Sequence, residues 1–535
     1  MPRKKRDDEV LNNAMGYVFA VSDETRIRRF IILGTAGGTY YSSEKELTID
    51  NVKALIDIIE KGQGSKILKE VYEVSLAGRS PKQDSLLMAL ALCARYNVCD
   101  SAKKYREAAD GDAEKARHLY LNELHKSAFG IVNEVCRIPT HLFSFVKYCE
   151  MISAGTQAEG DKKSTGWGRL MRKTIKNWYA SKKPEQLAMH LTKYPQRGGW
   201  SHRDLFRLTH PVPMAKNAPE TLALDMVEAV LALKKETDEA KIVEAIKKHG
   251  LVREHIPTEM LNSVPIWQAL LEKMPMTAMI RNLAKMQSIG ALTPEYRDMV
   301  IAKLSSEEEL KRARIHPVQV LLAKSVYQSG HGDKGKLKWT RDELIDKALE
   351  EAFYKSFINA PPTNKRFLFA LDCSGSMTVK ISGTMLTCRT AAAALSLIGL
   401  RNEKIAECVG FSDNLVELPF RGDWTIERIE EYMNNVEFGM TNCSLPMLWA
   451  KEKKKEFDVF VVYTDNETFF DQVHPFEALR DYRESSGITD AKLVVMGMTA
   501  TEFTIADPED AGMLDIVGFD SAVPTLLHDF VTGKL

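Results

Sequence analysis

Five residues in the C-terminal third are of the types that hold a hard divalent cation. Asp372, Ser374 and Ser376 stand in "FLFALDCSGSMTVK" (367–380), where an apolar run meets a carboxylate and two hydroxyls one residue apart. Thr441 lies in "GMTNCS", and Asp465 ends a second apolar run, "FDVFVVYTD". Two carboxylates and three hydroxyls are oxygen donors suited to Mg²⁺, with Mn²⁺ as the alternative and water completing an octahedron. The competing reading has Ser374 and Ser376 capping the next helix. A cap accounts for one hydroxyl, not for the second, the distant threonine and another strand-end aspartate. No histidine lies within a few residues of the five, so a general base for metal-assisted hydrolysis is not evident.

A site of this kind needs strands that end side by side. After residue 361 the sequence alternates: "RFLFALD", "IAECVGFSD", "FDVFVVYTD" and "AKLVVMGMT" read as strands. Between and after them, "MLTCRTAAAALSLIGL", "IERIEEYMNNV", "MLWAKEKKKE", "FEALRDYRESS" and "VPTLLHDFVTG" read as helices. Continuous apolar strands separated by helices predict a doubly wound, parallel α/β sheet. Ligands collect at the carboxyl ends of such strands, where Asp372 and Asp465 fall.

A second set of residues is suited to phosphate. Between Lys162 and Arg207 stand 12 basic residues against Glu185 and Asp204, interleaved with Trp167, Trp178, Tyr179, Tyr194, Trp200 and Phe206. In "GRLMRKTIKNWY", Arg169, Arg172, Lys173 and Lys176 recur at steps of three, one and three, lining one helical face. Gly198-Gly199 before Trp200 marks a loop where backbone can approach a ligand closely. Basic side chains neutralise phosphates and exposed aromatics stack on unpaired bases. The alternative is a solvated basic face with its aromatics buried between helices. No zinc-finger, homeodomain, RNP or KH signature is present, so any nucleic-acid binding is phosphate-dominated rather than read base by base.

From about residue 50 to 360 the apolar residues recur at helical spacing, as in "VKALIDIIEKGQGSKILKEVYEVSL", "LLMALALCARY" and "LFSFVKYCEMI". Pro, Gly, Asp and Ser separate the segments. A long succession of helices without strands predicts an α-solenoid of divergent HEAT-like repeats, with an irregular helical domain as the alternative. Before it, "FIILGTAGGTYY" reads as a short extended piece turning at Gly37-Gly38.

The 535 residues exceed one ordinary core. The zero net charge conceals an asymmetry: residues 1–360 carry 57 Lys and Arg against 46 Asp and Glu, and residues 361–535 carry 16 against 27. A basic part and an acidic part predict two domains with different partners, dividing at Pro361-Pro362. The eight cysteines form no C-x-x-C pair and sit in apolar contexts, as expected of reduced thiols in an intracellular protein. The N-terminal "MPRKKRDDEV" lacks the apolar region of a secretory signal and reads as a solvated tail or a nuclear-import cluster. "GHGDKGKL" (330–337) fits a phosphate loop as far as G-x-x-x-x-G-K. Leu337 then stands where Ser or Thr should bind Mg²⁺, and a helix precedes it rather than a strand, so a turn is the better reading.

The five oxygen ligands resemble the metal-ion-dependent adhesion site of von Willebrand factor A domains: D-x-S-x-S, then a threonine, then an aspartate after an apolar strand. "TDN" at 464–466 departs from the Thr-Asp-Gly common there. Further stretches are similar to the Ro ribonucleoprotein autoantigen family, also called TROVE-module proteins. They are "GGTYY" (37–41), "VNEVCRIPTHLFSFV" (132–146), "GWGRLMRK" (166–173), "LTKYPQRGGWSHRDLFRL" (191–208) and "RIHP" (314–317). Towards the C-terminus they continue with "GHGDKGKLKW" (330–339), "DNETF" (465–469) and "FTIADPEDAGMLD" (503–515). The segments at 101–126 and 153–164 do not match.

That resemblance implies a ring of helical repeats closed by a von Willebrand A domain, a metal site whose open position takes a partner's carboxylate, and no catalysis. It implies small noncoding Y RNAs on the outer surface and single-stranded 3′ ends of misfolded RNAs in a central hole. The RNA contacts it implies here are Arg169, Arg172, Lys173, Lys176, Lys193, Arg197, His202, Arg203 and Arg207, although His202 alone would read as a core or helix-start histidine. The expected partition is a tail (1–15), an RNA-binding helical part (16–360) and an A-type domain (361–535), in a cytoplasmic and nuclear protein. The rival reading is a protein-binding adaptor that grips a partner carboxylate at the metal site.

Overall fold

The computed structural model describes residues 9–11, 17–19, 22–35, 39–41, 47, 52–97, 112–155, 166–210, 220–332, 337–381, 384–436, 441–465, 473–499, 505–507 and 509–535. The chain forms two compact units. One, the helical unit, comprises Ser22–Gly37 and Lys45–Thr258; the other, the mixed unit, comprises Met1–Val21, Gly38–Glu44 and Glu259–Leu535.

Eleven strands occur among the described residues: β1 Glu9–Leu11, β2 Tyr17–Phe19, β3 Thr39–Tyr41, β4 Gln196–Arg197, β5 Trp200–Ser201, β6 Arg366–Asp372, β7 Ile405–Phe411, β8 Leu415–Leu418, β9 Val459–Thr464, β10 Lys492–Gly497 and β11 Met513–Val517.

In the mixed unit seven strands form one sheet in the order β3-β11-β10-β9-β6-β7-β8. All neighbours are parallel except the β7–β8 pair. The runs β6, β9, β10 and β11 are buried along almost their whole length because helices cover both faces. From β6 the chain moves to β7 on one side and later returns to β9 on the other. The topological switch point therefore lies between the carboxyl ends of β6 and β9.

Three strands extend the sequence reading. Strand β8 folds back antiparallel on β7, and β11 lies inside the sheet. Edge strand β3 comes from the N-terminal part, where Tyr40 is fully buried and its hydroxyl donates to Asp520 Oδ2 at 2.7 Å. Strand β1, within the span expected as a tail, pairs antiparallel with β2; residues 1–8 and 12–16 lie outside the described residues.

Helices give way to sheet strands after residue 361, and the division between the two compact units lies earlier, between Thr258 and Glu259. The last helices are fastened to the α/β layers by named contacts. Lys324 Nζ on the Pro317–Ser329 helix lies 3.4 Å from Glu427 Oε1. Asn402 Nδ2 donates to the carbonyls of Phe357 and Ala360, and the Arg401 guanidinium lies 5.4 Å from the Tyr354 ring centroid.

The helical unit consists of helices among its described residues, apart from the β4–β5 hairpin. The stretch 52–76, read from its helical spacing, falls in two helices, Lys53–Glu60 and Gly64–Ala77, separated at Gly62, whose φ of 77° suits glycine. "FIIL" is not extended. It ends the helix Asp23–Leu33, which Ser22 caps and a left-handed Gly34 terminates; Gly37 and Gly38 lie outside the described residues. The seven described cysteines are buried and none is in a disulfide among the described residues; Cys99 lies outside the described residues. No described helix is long and apolar enough to cross a membrane.

Candidate metal site and nucleic-acid interface

Strand β6 delivers Asp372 to the switch point almost completely buried. The Ser374 backbone N–H donates to its Oδ1 at 2.8 Å, while Thr441 and Thr464 hydroxyls donate to Oδ2 at 3.3 and 3.0 Å. Ser374 is buried, Ser376 is half-buried, and their hydroxyl oxygens are 2.9 Å apart. Asp465 follows directly on β9 and is buried too. Hydrogen bonds thus join four of the five predicted ligands in one network.

Burial pushes the Asp372 carboxyl up to about 6, and the nearby Asp465 carboxylate adds to the rise; hydrogen bonds from Ser374 and Thr464 oppose it. Among the described residues no group of three or more His, Cys, Asp or Glu could hold a metal. A cation here would depend on hydroxyl oxygens as well as carboxylates. Such a donor set fits Mg²⁺ rather than a soft metal. Asn466 lies outside the described residues.

In the helical unit, the Arg169–Ala180 helix buries Met171, Ile175, Trp178 and Tyr179 and turns Arg169, Arg172 and Lys173 outward, with Lys176 half-buried. The His202–Thr209 helix starts at a reciprocal cap, Ser201 with Asp204, and exposes Arg203 and Arg207 four residues apart. Tyr179 joins the two helices. Its hydroxyl lies 2.8 Å from His202 Nδ1, and its ring meets Phe206 at a centroid distance of 4.8 Å. Lys193 Nζ sits 5.5 Å from the Tyr194 ring centroid.

Among the described residues Arg169, Arg172, Lys173, Lys176, Lys193, Arg203 and Arg207 make no ion pair. Arg197 approaches Asp84, Nη2 to Oδ2, at 3.6 Å. His202 departs from the expected set: it is buried, with Nδ1 at Tyr179 and Nε2 3.3 Å from the His190 carbonyl. Burial lowers its pKa. It holds the two basic helices together from the core instead of facing a ligand.

Comparison with known proteins follows the same lines. A TROVE domain matches residues 10–250 and 214–326, and the Ro60 vWA domain matches residues 366–531. The chain is 48% identical to "RNA-binding protein RO60" of Caenorhabditis elegans, over 99% of this chain and 91% of that protein. The chain belongs to the Ro60 family.

A second Ro60 relative, from Deinococcus radiodurans, is 36% identical over 100% of this chain and 98% of its own length. The crystal structure of the Deinococcus radiodurans RO (RSR) protein superimposes with a TM-score of 0.83 at 34% identity, covering 96% of this chain and 100% of that one. The fold class is thus that of a Ro60 protein: helical repeats with a von Willebrand A-type α/β sheet. Two residues at the sites escaped the sequence reading. Thr464 looks like the last core residue of β9, yet it orients Asp372. Asp84, on the Gln83–Arg95 helix, reaches Arg197 across more than a hundred residues and gave no local signal.

Proposed function

We propose that this Ro60 chain is a non-catalytic RNA-binding protein that carries a structured small noncoding RNA of the Y class on the basic face of its helical unit. The observation that carries the reading is the set of outward cations that make no ion pair among the described residues, on two helices joined through Tyr179. Cations left unpaired on a packed surface gain most from an external polyanion, through release of its counterions. The same reading includes misfolded RNAs with single-stranded 3′ ends, and a cytoplasmic and nuclear location.

The metal site serves a separate partner in this proposal. Asp372, Ser374, Ser376, Thr441 and Asp465 would hold Mg²⁺, or Mn²⁺, and the cation would supply an electrophilic position for a carboxylate of another protein. Hydroxyl donors support this use, because they neutralise the cation less than additional carboxylates would.

The test is anisotropy of a labelled hairpin bearing an unpaired 3′ tail, titrated with the full chain in Mg²⁺ and in chelator across a salt series. Tight binding that weakens steeply with salt and ignores the chelator is expected. Binding that salt leaves unchanged refutes the RNA reading and favours the adaptor.

A further inference from the structure

The β4–β5 hairpin puts a cation and an indole side by side. Arg197 and Trp200 are cross-strand partners, so their side chains leave the same face of the ribbon. Gly198 and Gly199 turn it with φ of 60° and 83°, as a two-residue hairpin of this hand requires. Trp167 lies against Trp200 at a centroid distance of 5.3 Å and a tilt of 44°. Both indoles are half-buried, whereas Trp178 and Tyr179 of the neighbouring helix are fully in the core.

One helix, Pro139–Gly155, sets this arrangement. The Lys147 stem runs beneath Gly198, where an added Cβ would come within 3.3 Å of Lys147 Cδ. The Tyr148 hydroxyl donates to Asp84 Oδ1 at 3.2 Å, and Asp84 in turn faces Arg197. Glu150 Oε1 accepts from Trp167 Nε1 at 2.7 Å. Rings and guanidinium are thus held in place before any ligand arrives, which lowers the ordering cost of binding. Phosphates alone would not call for the two partly exposed indoles; an unpaired base has a face to lay on them.

We propose that Trp167, Trp200 and Arg197 form a seat for one unpaired nucleotide of a bound RNA, its base on the indole pair and its phosphate on the guanidinium. The proposal rests on the RNA-binding reading above and adds to it a requirement for a free base, which backbone contacts cannot impose. Asp84 leaves Arg197 able to serve, since a separation of 3.6 Å is too long for a hydrogen bond and a guanidinium carries five donors.

Two labelled hairpins test it with the full chain: one with a short unpaired 3′ tail, the other with the same tail made abasic, so that phosphates remain and bases do not. A third, blunt hairpin reports the phosphate contacts alone. The base-bearing tail should bind about tenfold more tightly than the abasic one, within the range expected of a stacked base. Trp200→Ala should abolish that preference, Trp200→Phe should keep most of it, and affinity for the blunt hairpin should not move. Equal affinity of the wild-type chain for the two tails overturns the seat, and with a steep salt dependence retained it leaves the RNA-binding reading standing. A preference that survives both Trp200→Ala and Trp167→Ala also overturns it. Loss of binding to every probe would overturn both readings.

Discussion

Reversing two charges on the outward face of the Arg169–Ala180 helix tests the RNA interface quantitatively. Of the nine cationic positions implied by the family resemblance, His202 is buried and leaves eight. If each neutralises one phosphate, the slope of log K against log salt lies between about −5.6 and −7.2, for single-stranded and duplex contacts respectively. Affinity then falls about 10³–10⁴-fold between 50 and 200 mM salt. Arg172→Glu with Lys173→Glu removes two contacts, so the slope should become shallower by about 1.4–1.8 while affinity drops at every salt concentration. Both side chains are exposed and lie near the helix N-terminus, where glutamate is tolerated, so the fold should survive. The assay is anisotropy at four or five salt concentrations, with circular dichroism to verify folding. A wild-type slope shallower than about −3 would refute the counting argument. So would a folded variant whose slope equals that of the wild type.

Three further outcomes follow from particular contacts. If Mg²⁺ binds at Asp372, a concentration of about 100 times its Kd should stabilise the chain by about 2.7 kcal/mol, and Asp372→Ala should lose that gain in a thermal melt with and without chelator. His316 caps the Pro317–Ser329 helix by accepting the Val318 N–H at Nδ1, and burial pushes its pKa down to about 4. The fold favours the neutral ring, so this contribution is complete above the unfolded value of about 6.5 and is lost as pH falls towards 4, up to about 3 kcal/mol. Urea melts at pH 7.5, 6 and 5 should record the loss, and His316→Asn, which can still cap, should flatten it. A Cβ at Gly399 would stand 2.1 Å from Phe369 Cζ, so Gly399→Ala should cost about 1–3 kcal/mol in a denaturant titration.

The strand-end cluster of Asp372, Ser374 and Ser376 was legible because its parts are local, a carboxylate closing an apolar strand with hydroxyls at alternate positions, and Asp465 was legible because a second apolar strand has the same ending. The basic helix was legible through its period, since Arg169, Arg172, Lys173 and Lys176 occupy one face while Met171 and Ile175 fill the other. What escaped depends on residues far apart in sequence. Strand β11 carries Asp515 in mid-strand, which argues against a buried strand until Ala506 is seen donating its N–H to both carboxylate oxygens at 3.1 and 3.0 Å. Burial raises that carboxyl to about 7, so it resides in the sheet at the edge of neutrality. Strand β8 is four residues long and half exposed, too short for its pattern to be distinguished from a turn. "TYY" is extended as read, at β3, but its place in the sheet was not legible because its partner β11 lies more than 470 residues away. His202 shows the converse error. It stands among cations in the sequence, but the helix turns it inward beside Leu205, where Tyr179 and the His190 carbonyl meet both its nitrogens. A histidine is amphipathic enough for either face of a helix. Its direction was decided by the opposing helix, which no local spacing encodes.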